Sequence, residues 1–216
     1  MEYLPSLATF IAFTAASLLL AATPGPDMTL SISRALSQGR GPALWVVLGT
    51  SMGIVVHTLL VAFGISALIT ASPTAFTILK TGGAGYLLWL AIQAIRYGSS
   101  FSDTPGTGIA MSKASALANI STGFWVNLLN PKVIIFFMTF LPQFVSAGAP
   151  DVTGKLIVLG LLFIAIGMPV NTIVVLAADK LSAWLRNNKG VLRGLDYTFA
   201  GVFSIFAVKI FMTQSR

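Results

Sequence analysis

The chain has 216 residues, of which 56% are hydrophobic and only 9% are charged. A soluble domain carries about 25% charged residues, so the composition excludes an ordinary soluble protein and indicates an all-α polytopic membrane protein. The net charge of +7 is then explained by basic cytoplasmic loops rather than by binding of nucleic acid, and the absence of cysteine excludes disulfides, thiol catalysis and thiolate metal sites.

The first predicted span runs from Tyr3 to Pro26. Its n-region holds Glu2 and no basic residue, which favours a retained transmembrane helix over a signal peptide. The span ends in the motif TPGPD at 23–27, whose two prolines interrupt an apolar helix. Because proline in a helix interior costs about 3 kcal/mol, this interruption needs an explanation.

Two interpretations of the TPGPD motif stay open. In the first, Thr23 caps a new helix that starts at Pro24, whose free amides attract a carboxylate, while Asp27 suits an ammonium group. Freed backbone groups at membrane depth are tolerated where they line a cavity, which would also involve Gly25 and Pro26. In the second interpretation the span simply ends at Ala22 and the motif is an interfacial turn.

The next charge-free run, residues 41–79, is too long for one crossing, and the turn-forming segment ASPTA at 71–75 divides it. We therefore predict a second span near residues 43–69 and a third near 74–95. His57 is the only histidine and lies in the second span. Its side chain titrates near neutral pH, so it is either a proton relay in the pathway or a hydrogen-bonded packing residue.

A polar segment rich in serine and glycine, residues 99–113, predicts a cytoplasmic linker between two halves of one membrane domain. The halves are residues 1–98 and 114–216. The second half contains a fourth span within residues 114–150, a fifth over 156–178 and a sixth near 195–212.

The fourth span is interrupted by Asn130-Pro131-Lys132, with Asn127 just before the interruption. An ionisable residue inside an apolar span is a candidate functional residue, and Lys132 could hold a substrate carboxylate beside the amide of Asn130. Alternatively, Lys132 extends from an interface. In the fifth span Asn171 follows Pro169 and either lines the pathway or bonds the backbone that the proline frees.

Basic residues fix the predicted orientation. Those in the loops after odd-numbered spans outnumber those on the other side, which places these loops in the cytoplasm and both termini outside. The cytoplasmic set is Arg34, Arg40, Arg96, Lys113, Lys180, Arg186, Lys189 and Arg193, against Lys155 and Arg216.

Three spans per half require the halves to insert in opposite orientations. The TPGPD motif of the first half corresponds to NPK in the second, and Gly49 and Gly53 are loosely matched by Gly160 and Gly167. Inverted repeats with paired broken helices are typical of secondary transporters. Such a repeat would bring the carboxylate and the ammonium of the two motifs together, where they would complement a zwitterion.

These motifs resemble those of the LysE/RhtB family of bacterial amino-acid exporters. The matching segments are TPGPD at 23–27, GTSMG at 49–53, KTGGAGYLLWLAIQAIR at 80–96, NPK at 130–132 and FFMTFLPQF at 136–144. The resemblance implies an inner-membrane efflux protein for amino acids or close derivatives, coupled to protons. On the family's motif positions fall Pro24, Gly25, Pro26, Asp27, Asn130, Pro131 and Lys132.

We therefore predict a six-span exporter that works by alternating access on a small zwitterion, with H⁺ as coupling ion and no cofactor. No nucleotide-binding, zincin or serine-hydrolase motif occurs, which argues against a motor or an enzyme. Efflux of a metal ion or other small solute is one alternative, although Asp27 alone supplies few intramembrane carboxylates. A membrane-embedded enzyme or structural subunit is another, and a homo-oligomer stays open.

Overall fold

A computed structural model describes residues 6–72, 114–145 and 150–178 continuously, with individual positions between 74 and 96 and between 180 and 212. All regular elements within these residues are helical. The predicted linker 99–113 lies outside the described residues. The fold class predicted from composition, an all-α polytopic membrane protein, is confirmed.

Two helices cover the region of the first predicted span and the residues after it. Helix α1 covers Leu7–Ala22, and α2 covers Pro26–Gln38 after a break of three residues. The axes are bent by 50°, and the pair is long and apolar enough to make one span only when taken together. The TPGPD motif lies between these two helices, and the end of the first span at Pro26 stays a prediction.

Two unbroken helices follow the predicted second and fifth spans. Helix α3 covers Arg40–Ala71, and its portion Arg40–Gly64 is long and apolar enough to cross a membrane. Helix α6 covers Val152–Leu176 and passes the same test. Both agree with the predicted spans to within a few residues at each end.

The fourth span is also broken. Helix α4 covers Ala116–Leu128 and a short α5 covers Pro131–Ile135. From α5 the chain continues through a π-helical turn, Phe136–Phe140, into a 3₁₀ turn, Leu141–Phe144. The two parts are bent by 56°, so within the described residues there are two unbroken membrane-length helices and two bent pairs.

The third and sixth predicted spans are described only at individual positions. Each described position between 74 and 96, and each between 190 and 212, is helical. The ends of these two spans lie outside the described residues.

Helix α3 is the central element, since it packs against α2, α4 and α6. Its contact with α4 is at backbone distance: a Cβ atom at Gly49 would overlap the carbonyl of Ile120, and one at Gly123 would overlap the carbonyl of Val46. Glycine permits this approach because it has no side chain, as is common where membrane helices pack closely.

A cluster of phenylalanines fills the core between α1, the π-helical turn and α6. The rings of Phe13, Phe136, Phe137, Phe140 and Phe163 are all at most 5% exposed. In contrast, large apolar side chains on outer helix faces are widely exposed, for example Leu60 at 62% and Ile173 at 64%. An apolar outer surface of this kind is expected of a membrane protein, because its exposed side chains contact the hydrocarbon of the lipid.

Candidate functional site

The two helix breaks meet at one small cavity. Its volume is about 50 Å³, which is room for a few water molecules. The charged lining residues lie in the first turns of α2 and α5, and the other polar ones lie in the two breaks, α4 and α6. Helices α1, α2, α3, α5 and α6 supply the apolar lining. The lining residues are Leu20, Ala21, Thr23, Gly25, Asp27, Met28, Ile54, Asn127, Asn130, Lys132, Val133, Phe163, Gly167 and Asn171.

The Asp27 carboxylate is held by two amides from the second break. Asn127 Nδ2 donates to Asp27 Oδ2 at 2.6 Å, and Asn130 Nδ2 donates to Asp27 Oδ1 at 3.1 Å. Each carboxylate oxygen therefore has a neutral donor from the other half of the chain. Hydrogen bonds to a charged acceptor are stronger than neutral ones, which accounts for the tolerance of a carboxylate among apolar helices.

Asn130 performs two tasks because its amide has two ends. Its Oδ1 atom accepts a hydrogen bond from the backbone N–H of Lys132 at 3.0 Å and so caps α5, with Pro131 at the first helical position. Its Nδ2 atom is thereby turned towards Asp27. The local sequence Asn-Pro-Lys thus starts a helix and aims a donor at the carboxylate.

Lys132 reaches the first break in the opposite direction. Its Nζ donates to Thr23 O at 3.0 Å and to Leu20 O at 3.4 Å, two carbonyls at the end of α1. Leu20 O cannot accept the usual helical bond from position 24, because Pro24 has no N–H. Lys132 therefore bonds Leu20 O, which the proline leaves free, and Thr23 O, both at the negative end of the helix dipole.

The side chain of Lys132 passes over Gly25. A Cβ at this glycine would lie 3.6 Å from Lys132 Nζ and 3.7 Å from its Cδ. Lys132 and His57 also lie close enough to interact electrostatically with Asp27. The structure thus brings the charged residues of the two motifs to one site.

The predicted capping role of Thr23 is wrong. Thr23 is the C-cap of α1, its hydroxyl donates back to Leu19 O at 2.7 Å, and Gly25 is the N-cap of α2 with Pro26 first in the helix. The physical reason is Pro26, which disfavours the α conformation of the residue before it. A helix starting at Pro24 would have required that conformation at Gly25, which is extended instead.

His57 lies behind Asn127 and is not part of the cavity lining. It is buried, its Nε2 is 3.3 Å from Asn127 O, and its ring contacts Phe137 at a centroid distance of 5.9 Å. These contacts are those of a packing residue that supports Asn127. The relay role stays a prediction.

Asn127 is fixed from both sides. Its amide nitrogen bonds Asp27, while its Oδ1 is buried against the Cα of Gly53 and has no hydrogen-bond partner. A side chain at Gly53 would displace it. The glycine of the GTSMG segment therefore makes room for the residue that holds the carboxylate.

Asn171 lines the cavity from α6, one turn after Gly167 and two turns after Phe163. It forms no hydrogen bond with another residue in the described part of the chain. Sequence reasoning named Asn171 but missed Phe163, Ile54 and Met28 as lining residues, because an apolar residue in an apolar helix carries no local signal for a cavity.

The site combines opposite charges, each stabilised by groups of the other break, around a cavity of about 50 Å³. This arrangement can bind a molecule that carries both an ammonium and a carboxylate. Among the described residues there is no group of three or more His, Cys, Asp or Glu side chains that could hold a metal ion.

Comparison with known proteins identifies the family of the chain. The family model of LysE type translocators matches residues 18–214. The homoserine/homoserine lactone efflux protein of Salmonella typhimurium is 30% identical over 91% of this chain and 92% of its own length. The leucine efflux protein of Klebsiella pneumoniae is 22% identical over 95% of this chain and 96% of its own.

A shorter match links the chain to the threonine efflux protein of Salmonella typhimurium, which is 30% identical over 57% of this chain and 60% of its own length. No solved structure matches the chain at a significant level. The match of the family model over nearly the whole chain decides the assignment: the protein belongs to the family of LysE type translocators.

Proposed function

We propose that the protein exports amino acids or close derivatives from the cytoplasm by alternating access, in exchange for protons. The observation that supports this most directly is the meeting of Asp27 and Lys132 from two broken helices at one cavity. A zwitterion presents the complementary pair of charges.

The substrate's ammonium would bind Asp27 and its carboxylate would bind Lys132. Binding would then replace existing hydrogen bonds. The amides of Asn127 and Asn130 would weaken or lose their bonds to the Asp27 carboxylate, and Lys132 would lose its bond to Thr23 O. The released carbonyls at the end of α1 are further acceptors for the ammonium. The substrate thus replaces the partners that these protein groups give up, which keeps the buried groups bonded.

The chemistry of Asp27 supports the proposed exchange with protons. Once the substrate ammonium leaves, a proton could take its place on the carboxylate, and carboxylates inside membranes are common members of proton pathways. In the proposed cycle a proton replaces the substrate on Asp27 during the return step. His57, whose Nε2 lies 3.3 Å from Asn127 O, is the proposed partner of Asp27 in this proton transfer.

An inverted repeat of three plus three spans is the proposed framework of this cycle. It is supported by the order of the described helices. Each half starts with a bent pair, which α3 follows in the first half and α6 follows in the second. In each bent pair a proline opens the second helix and a charged residue follows it: Pro26 with Asp27, and Pro131 with Lys132. Rocking of one repeat against the other would expose the cavity alternately.

The names of the relatives support the same class of substrate, since they are efflux proteins for homoserine and homoserine lactone, for threonine and for leucine. Homoserine, threonine and leucine are small zwitterions, whereas the lactone keeps the ammonium but has no free carboxylate. We place the protein in the bacterial inner membrane, with both termini on the outer side as the distribution of basic residues predicts.

Efflux from cells preloaded with labelled homoserine, threonine and leucine tests the proposal. Wild type is compared at matched membrane expression with Asp27→Asn and Lys132→Ala. Asp151→Asn and Lys155→Ala are the controls, since both residues lie at the start of α6, outside the cavity lining.

We expect the wild type and both controls to export at least one substrate, while the two cavity variants lose export. Normal export by both cavity variants would place the substrate elsewhere. Failure of the wild type to export any zwitterion would overturn the function itself. A proton-collapsing ionophore should abolish concentrative export if the exchange with protons is right.

A further inference from the structure

The wall of the cavity that α6 provides carries no charge, unlike the walls from the two breaks. Phe163, Gly167 and Asn171 lie four residues apart on this helix and all line the cavity. If the two breaks hold the ammonium and carboxylate common to all amino acids, the α6 wall faces the part in which amino acids differ. The residues of this wall would then determine which amino acids the site accepts.

Gly167 makes the space on this wall. A Cβ added to it would lie 3.8 Å from Phe163 Cε1 and 3.9 Å from the Cβ of Ala21, which is ordinary contact. Alanine would therefore fit, but a larger side chain would enter the cavity or press on the ring. Gly160, on the same helix, has a different role. A Cβ there would overlap the side chain of Thr58, so this glycine allows α6 to pack closely against α3.

Asn171 supplies the polar group of this wall. Its amide offers two donors and one acceptor, and it uses none of them on another residue in the described part of the chain. Asn127 and Asn130, by contrast, already bond Asp27. The half-buried amide of Asn171 lines the cavity, so its donors and its acceptor can bond a substrate held there.

We infer that the α6 turn from Gly167 to Asn171 contacts the substrate's side chain and selects among amino acids by its size and polarity. Gly167 sets the size that is accepted, and Asn171 forms a hydrogen bond with a hydroxyl or similar group on a short side chain. The inference rests on the proposed function, because it assigns the remaining part of the same site. The ring of Phe163 and the side chain of Ile54, which also line the cavity, would contact the apolar part of the substrate's side chain.

The test uses pairs of substrates that differ by one hydrogen-bonding group: homoserine against norvaline, and threonine against valine. Export from preloaded cells is measured for wild type, Asn171→Leu, which keeps the shape but removes the amide, and Asn171→Ala. Ile173→Leu is the matched control, because Ile173 lies on the same helix with 64% exposure.

We expect the wild type and the control to prefer the hydroxylated member of each pair. In both Asn171 variants this preference should fall about tenfold, the value of one hydrogen bond of about 1.4 kcal/mol, while export of norvaline and valine is kept. An unchanged preference in either variant that still transports overturns the role of Asn171. The alanine variant keeps the test decisive if the leucine variant does not reach the membrane.

The size limit is tested with Gly167→Val against Gly64→Val, where the new side chain meets no described atom within 4 Å at its Cβ. The cavity variant should lose export of leucine at least about tenfold more than export of alanine, since one methylene in a tight pocket is worth that much. Equal losses for both substrates overturn the role of Gly167. A wild type that exports none of these amino acids overturns the proposed function, which is a distinct result.

Discussion

Asn130 has two roles that substitutions can separate. Its oxygen caps α5 and its nitrogen holds Asp27, so a variant can lose one role and keep the other. Asn130→Ser should keep the helix cap, since serine is nearly as good an N-cap as asparagine. Asn130→Ala should lose both the cap and the contact with the carboxylate.

We expect both variants to lose the hydrogen bond to Asp27, so homoserine export should fall in both. Because only serine keeps the cap, the serine variant should be about 1 kcal/mol more stable than the alanine variant in detergent. Equal thermal midpoints for the two variants would contradict the capping role. Full export by the serine variant would contradict the role of the amide nitrogen at Asp27.

Lys132 is predicted to stabilise the protein as well as to bind substrate. Lys132→Met keeps a long side chain but removes the donor to Leu20 O and Thr23 O. Leaving buried carbonyls unbonded should lower the free energy of unfolding by about 1–3 kcal/mol. Thermal unfolding in detergent measures this, with Lys155→Met as the control.

The residue-level site was only partly predictable from the sequence. The charges of Asp27 and Lys132 stand out in apolar spans, and their correspondence in two halves predicted their proximity. The partners of Lys132 are backbone carbonyls, which every residue carries, so the residue types of the sequence do not mark them. The one available signal was Pro24, whose missing N–H implies that Leu20 O needs a donor from elsewhere.

At the scale of elements, the break between α1 and α2 was predictable but its exact form was not. Two prolines two residues apart guarantee an interruption, and Thr23 was a plausible cap by residue type. The choice between the prolines depends on the conformation of Gly25, which Pro26 restricts. A rule about pairs of residues, rather than about cap preference alone, would have found the correct start.

The contact between α3 and α4 gives the prediction that belongs to this scale. A Cβ at Gly123 would overlap the backbone of Val46, which cannot move as a flexible side chain can. Gly123→Ala should therefore separate the helices and cost about 1–3 kcal/mol, as overpacking usually does. Gly64→Ala, on a part of α3 with no described atom within 4 Å, is the matched control.

Thermal unfolding in detergent and the amount of folded protein in the membrane are the measurements. We expect the Gly123 variant to fall in both and the Gly64 variant to match the wild type. Since α3 also carries Gly53, which faces Asn127, separation of these helices should weaken the site too. A Gly123 variant as stable as the wild type would show that the contact is loose in solution.

At the scale of the whole molecule, composition alone predicted a membrane protein, and charge-free runs located the second and fifth spans well. What composition cannot decide is whether an interrupted run is two elements at an interface or one broken span. The bends of 50° and 56° and the shared cavity favour broken spans for both interrupted runs. That pairing is also the reason to expect halves of opposite orientation.

Opposite orientation has a direct test, because the chain contains no cysteine and each introduced thiol reports alone. Ser6→Cys before the first span and Ser146→Cys between the fourth and fifth should react with a membrane-impermeant maleimide on intact spheroplasts. Ser102→Cys, in the predicted linker, should react only after permeabilisation, because the excess of basic residues places that side in the cytoplasm. Labelling of Ser102→Cys from outside would reverse the topology, and labelling of Ser6→Cys and Ser146→Cys on different sides would rule out three spans per half.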